Sequence, residues 1–326
     1  MMNHKTRGFL LAILLILPLL LGGCYEQLNP LYKNEATPAP GLSGELHAAA
    51  ADDTNLSQIK ATLYFRYLDE PMLAGESRVL TVRRDQRPEQ AIIEALLEGP
   101  RAGNADLRRL IPADTQMEGI SSRDQVLFIT FNEAFLLDDI PDGWETDEDW
   151  RVEAPLLRKL ITQSIVASVT ESYPYTGVQF LVHRANEVQT SLRLGNEYFL
   201  DGSAGLSEPI LRDEALLLTP QSTVKTLLGA WSQKDFERMY LYLAQTGKPA
   251  YSAFVEALDA APSVEVFSIS GGSVYADGQT AVVMAYLRLI RQGADAEPLS
   301  YPLLLTREND VWKMEYTRLK ALMLGT

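Results

Sequence analysis

Apolar positions in this chain fall into two alternating rhythms, and the changes between them mark the elements. Residues 61–67 (ATLYFRY) mix aromatic and β-branched positions with polar ones, which predicts a strand, and residues 79–82 (VLTV) predict a second after the turn residues around Gly75. The rhythm then becomes helical. Pro88 stands where a first helical residue tolerates it, Ile92, Ile93, Leu96 and Leu97 form one stripe, and Gly99-Pro100 supplies a stop. Residues 125–131 (QVLFITF) read as a buried strand, Leu157, Leu160, Ile161, Ile165 and Val169 as a longer helix, and residues 177–182 (GVQFLV) as another strand. The order predicts an α+β sandwich, with helices packed on one sheet.

The last hundred residues reverse the order. Thr219 is placed to cap a helix with Pro220 at its first position, and Val224, Leu227, Leu228 and Trp231 share one face. Asp235 restarts a short helix bearing Phe236, Met239, Tyr240 and Leu243, and residues 249–260 predict a third. Strands follow at 264–275, at 280–290 after the hairpin signal Ala276-Asp277-Gly278, and at 299–306. A last strand at 311–316 has Trp312, Met314 and Tyr316 alternating on one face. Helices followed by a curled antiparallel sheet, with the helix pair GAWSQKDFERMYLYL, resemble the nuclear-transport-factor-two-like cone.

The only cysteine, Cys24, follows Lys5, Arg7 and an apolar run from Phe9 to Leu21. That run is shorter than the roughly 20 residues a permanent transmembrane helix needs, and it has the layout of a secretory signal. Leu21-Gly22-Gly23-Cys24 resembles the bacterial lipobox, which implies cleavage before Cys24 and acylation of its thiol. A lone thiol excludes an intramolecular disulfide. The expected division is a signal peptide over 1–23, a flexible tether over 24–57, an α/β sandwich over 58–205 and a cone over 206–326. The tether is rich in Pro, Ala and Gly, as in Thr37-Pro38-Ala39-Pro40-Gly41. Loss of Lys5 and Arg7 would leave 27 of the 29 cations against 43 carboxylates, a formal charge of −16. That sign repels nucleic acid and anionic headgroups, so the expected membrane contact is the lipid anchor itself.

A second resemblance rests on five pieces of the first half. They are LYFRY, the basic strand after it, EALLEGP at residues 94–100, Leu110-Ile111-Pro112, and the QVLFITF strand. Together, over roughly residues 58–196, they resemble the GerM (sporulation and spore germination) domain. The resemblance implies a membrane-tethered, extracytoplasmic domain similar to the ring-building modules of sporulation and secretion assemblies, without an active site. Some relatives carry two copies; this chain has no second Leu-Leu-x-Gly-Pro followed by Ile-Pro. The expected function is therefore a non-enzymatic lipoprotein on the outer face of the cytoplasmic membrane of a Gram-positive, spore-forming bacterium. Its expected partners are envelope or sporulation proteins, with self-association, and no cofactor.

Candidate chemistry is sparse. The cone could hold a small apolar ligand or cell-wall fragment in a pocket lined by Trp231, Tyr286 and Trp312. Asp235 with Tyr240, Tyr242, Tyr275, Tyr286 or Tyr316 could move a proton in such a pocket, although core packing and helix capping account for the same residues. After signal removal, histidine is reduced to His47 and His183, and no Gly-x-Ser-x-Gly elbow accompanies either. Ser270-Gly271-Gly272-Ser273 lies in a strand context and reads as a bend rather than a phosphate loop. Acidic residues crowd 138–149 (Asp138, Asp139, Asp142, Glu145, Asp147, Glu148 and Asp149) without the spacing of a calcium loop, and so read as a solvated loop facing a basic partner.

Overall fold

The computed structural model describes residues 56–137, 139–183, 191–291 and 297–324. The expected signal peptide, Cys24, His47 and the part of the expected tether before Leu56 lie outside the described residues, as does Asp138. The chain divides into Met1–Asp52 and a compact unit, Asp53–Thr326. The expected boundary at 205/206 falls inside that unit.

In the first half, β1 (Leu56–Tyr67) starts where the tether was expected to continue and pairs antiparallel with β2 (Leu73–Arg83) from Leu56↔Arg83 to Arg66↔Leu73. Helix α1 (Pro88–Glu98) follows, with Pro88 at its start and Gly99 ending it at φ 92°, a left-handed backbone that glycine adopts freely. Strand β3 (Leu107–Arg108) joins the far edge of β1. A second sheet, separate from the first, runs β4 (Met117–Arg123), β5 (Val126–Asn132), β6 (Gly177–His183) and β7 (Leu192–Arg193). The single sheet expected from the sequence is thus two sheets. The β5–β6 pairing is parallel, and its crossover is α2 (Trp150–Ser172).

Helix α2 also crosses β1. Ser164 Oγ donates to the Tyr64 carbonyl at 2.5 Å, and the Tyr64 amide donates to Ser168 Oγ at 2.8 Å. Two serines in the buried stripe of the helix thereby satisfy backbone groups of β1 that no strand reaches at that point, which explains their place among Ile161, Ile165 and Val169.

The second half opens with α3 (Pro220–Gln233), where Thr219 and Ser222 form the capping box, and continues with α4 (Phe236–Leu241) and α5 (Tyr251–Asp259). The sheet order is β12 (Val311–Met314), β11 (Leu299–Glu308), β10 (Thr280–Ile290), β8 (Ser263–Ile269), with β9 (Ser273–Val274) also on β10. The strand expected over 264–275 is broken in two, because Gly272 turns the chain at φ 76°. The last strand ends at Met314 instead of Tyr316, and α6 (Tyr316–Leu324) follows. Alternation misled there because Trp312, Lys313 and Met314 are all buried. One continuous apolar core runs through both halves, from Leu63 and Ile92 to Leu227, Leu287 and Leu319.

Candidate functional site

The densest polar cluster lies where the halves meet, and the β1–β2 turn builds it. Leu68 takes a left-handed backbone at φ 47°, fixed by its amide donating to the Asp106 carbonyl at 2.8 Å. This aims Glu70 into the second half. Its buried carboxylate accepts from Arg238 Nε at 3.1 and 2.9 Å, from Arg238 Nη2 at 2.6 Å and from the Tyr242 hydroxyl at 3.0 Å. Such charge-assisted, forked geometry is the strong form of hydrogen bond. Tyr67 donates to the Leu241 carbonyl at 2.6 Å and stands 5.3 Å from the Tyr242 ring.

Arg66 closes the turn from behind, donating to the Glu70 carbonyl at 3.0 Å and the Asp69 carbonyl at 2.7 Å while pairing with Glu153. Beside it, Lys313, only 2 % exposed, pairs with Asp106, and Asn104 donates to the Asn309 carbonyl at 3.1 Å. The tyrosines report this environment. Burial pushes Tyr67 and Tyr242 far above the ordinary phenol value, with Asp106 adding to the effect at Tyr67 and Glu70 at Tyr242. Burial, reinforced by Glu171, pushes Tyr64 up to about 12. Hydrogen bonding to Glu70 holds the Arg238 guanidinium above its usual range. The charges of Glu70, Arg238, Arg66, Glu153, Lys313 and Asp106 are matched within the protein, so the cluster acts as a structural joint.

The residues singled out for a cone pocket do not converge. Trp231 is buried and borders a crevice of about 80 Å³ with Lys234, Phe236 and Leu258. Trp312 is buried under Arg307, whose guanidinium carbon lies 5.7 Å from the ring centre. Tyr286 projects from the opposite face of β10 to the buried Ala285 and Leu287, is 42 % exposed and lies 5.4 Å from Phe267. The inward residues of β10, Ala281, Val283, Ala285, Leu287 and Leu289, are all buried, and a large crevice of about 710 Å³ between α3 and β8 includes none of Trp231, Tyr286 and Trp312.

Asp235 caps α4, accepting from the Arg238 amide at 3.1 Å, and Tyr242 belongs to the joint. Tyr240 donates to the Pro249 carbonyl at 2.7 Å, Tyr316 packs 6.1 Å from Phe254, and Tyr275 is exposed. His183 pairs with Glu118 at 2.7 Å on the surface. Among the described residues no group of three or more His, Cys, Asp or Glu side chains is placed to hold a metal ion, and no helix is long and apolar enough to cross a membrane. The acidic loop leads into α2, where Asp147 accepts from the Asp149 and Trp150 amides at 3.0 Å each.

Two groups of exposed apolar residues lie together on sheet surfaces. The outer face of β8 and β10 shows Phe267, Met284, Tyr286 and Ile290, and the open end of the β1–β2 ribbon shows Leu56 and Val79. Sequence reading missed the joint, whose only signal was the polar, proline-containing turn Asp69-Glu70-Pro71.

The molecule is an α+β protein of two halves, a strand–helix sandwich followed by helices on an antiparallel sheet. Residues 62–185, within the first half, match the family model described as Germane: Sporulation and spore germination. Among solved structures, the tandem GerMN domains of the sporulation protein GerM from Bacillus subtilis align at 13% identity, covering 73% of this chain and 63% of that one, with a TM-score of 0.34. This chain thus spans less than two thirds of that structure. The first GerMN domain of the same protein aligns at 16% identity, covering 47% of this chain and 98% of that one, with a TM-score of 0.28. An NTF-2 like protein of unknown function from Shewanella oneidensis aligns at 15% identity, covering 28% of this chain and 88% of that one, with a TM-score of 0.22. No curated protein matches the chain.

Proposed function

We propose that this protein is a non-enzymatic lipoprotein, tethered through acylated Cys24 to the outer face of the cytoplasmic membrane, that makes protein contacts in an envelope assembly of sporulation or germination. The observation carrying this reading is the match of residues 62–185 to the sporulation and spore germination family. The sequence Leu21-Gly22-Gly23-Cys24 supports the tether. The self-satisfied joint favours a rigid scaffold, and the exposed Phe267, Met284 and Tyr286 on the outer sheet face offer apolar area for a protein partner.

The test compares the native protein with a Cys24→Ala form by intact mass and membrane fractionation, with crosslinking in cells entering sporulation. The reading expects acyl mass and membrane retention that vanish in the variant, with specific crosslinks to envelope proteins. A protein without acyl mass removes the tether, and a membrane-bound protein with no crosslinks removes the assembly role.

A further inference from the structure

We propose that the open end of the β1–β2 ribbon is a contact face for an anionic phospholipid bilayer. The inference deepens the tethered reading above and rests on it for its setting. Strand pairing places Leu56, Gln58 and Lys60 on one face of the ribbon beside Val79, Thr81 and Arg83, because residues two apart share a face and Leu56 pairs with Arg83, Gln58 with Thr81 and Lys60 with Val79. All six are exposed, with Leu56 at 48 % and Val79 at 63 %. Across residues 56–62 and 77–84 the ribbon carries Lys60, Arg78, Arg83 and Arg84 and no carboxylate, in a chain of formal charge −14.

Arg78 turns inward to Glu76 and the Gly99 carbonyl, which leaves Lys60, Arg83 and Arg84 outside. Asp85 faces Arg83 at 3.6 Å, and both are well exposed, so that pairing is weak. Lys60 and Arg84 have no ion-pair partner among the described residues. At the base of this end, Arg87 meets the buried Glu89, Arg123 meets Asp124 at 3.3 Å, and Glu94 accepts from Gln86 and Gln90.

Helix α2 sets these cations apart from the acidic loop. The loop adjoins its first turn, while Tyr175, just past its last, receives a hydrogen bond from Arg87 at 3.2 Å. Twenty-three helical residues span about 35 Å, several Debye lengths at physiological salt, so the loop's charge is screened at the ribbon. Beyond Tyr64, the ribbon extends about 26 Å to Leu56, the residue through which the preceding chain enters. An anchor at Cys24 would therefore draw this end toward the headgroups. Apolar side chains flanked by Lys and Arg suit that interface, where cations reach phosphates while their stems and neighbours meet the acyl boundary.

The test uses the compact unit Asp53–Thr326, which holds the whole described core, with its fold checked by circular dichroism. It is sedimented with vesicles of about 40 mol % phosphatidylglycerol in phosphatidylcholine, and with phosphatidylcholine alone. Retention on the anionic vesicles should be about tenfold greater, and should disappear near 1 M salt, where the Debye length is about 3 Å. The triple variant Lys60→Glu, Arg83→Glu, Arg84→Glu should lose this preference, while Arg318→Glu, Lys320→Glu on α6 should keep it.

Equal retention on both vesicle types, or a triple variant that binds like the parent, overturns the proposal. So does a unit that ignores vesicles while the same three substitutions in the full chain abolish a crosslink to an envelope protein; the face would then belong to a protein. Because the unit lacks Cys24, its binding is independent of acylation. An unacylated native protein would sink the tether and leave this result standing.

Discussion

At its turn, the β1–β2 ribbon carries Tyr67 and Glu70 into the second half, where each polar atom meets a fixed partner. At its open end, the same two strands carry Lys60, Val79 and Arg83 into solvent, with few fixed partners. Backbone pairing continues without interruption from one end to the other. The difference is therefore made by side chains alone, and it teaches that strand pairing specifies neither stability nor role along its length. One end is specified by buried charge, which is costly to leave unmatched; the other is free to vary in stability terms and so is open to selection for contact.

The largest test of that contrast is alkaline pH. A phenol whose folded value lies above its unfolded value of 10.0 adds stability that is complete below pH 10 and is lost as pH rises through the folded value, about 12 for Tyr64. That one group corresponds to roughly 2 to 3 kcal/mol, and Tyr67 and Tyr242 are shifted in the same direction. Unfolding should begin above pH 10, with these three phenols ionising only as the fold is lost, seen as a late, cooperative step in absorbance near 295 nm. Smooth titration of all tyrosines with the fold intact would refute it.

Next in size, Glu70→Ala removes the carboxylate that Arg238 and Tyr242 share. About 3 kcal/mol of stability should be lost, at the lower end for a broken buried pair because Arg238 is partly exposed. Denaturant unfolding measures this, and both halves should melt earlier together. A melting of the second half alone would mean that the joint does not couple them. Tyr242→Phe keeps the ring and removes one donor to Glu70, with an expected cost of about 1 to 2 kcal/mol in the same experiment. The smallest effect belongs to the open end: Val79→Thr should change stability by less than about 0.5 kcal/mol. A loss comparable to that of Glu70→Ala would erase the distinction between the two ends.

Much of the fold was legible. Pro88 and Gly99 bracket α1 as their backbone preferences require, Thr219 caps α3, and residues 280–290 form β10 at the expected limits. Periodicity succeeded in α1, α3 and β10, where one face is buried and the other wet. It failed in β12, where Trp312, Lys313 and Met314 are all buried, and alternation in the letters no longer maps onto alternation in environment. It could not separate one sheet from two, because pairing partners are chosen by tertiary packing and leave no local trace. The joint was illegible for a related reason: Glu70, Asp106, Arg238 and Lys313 read as ordinary surface charges until distant segments meet. The expected pocket of Trp231, Tyr286 and Trp312 failed because residue type can suggest a lining, whereas the direction of a side chain decides whether a lining exists.

Helix α2 has one more consequence. The acidic loop sits at its beginning, on the end where backbone amides leave partial positive charge, while the exposed cations of the ribbon lie beyond its other end. In the field above a negatively charged surface such a body experiences a torque as well as a net force. On the bilayer contact proposed above, that torque would turn the ribbon inward and the loop outward.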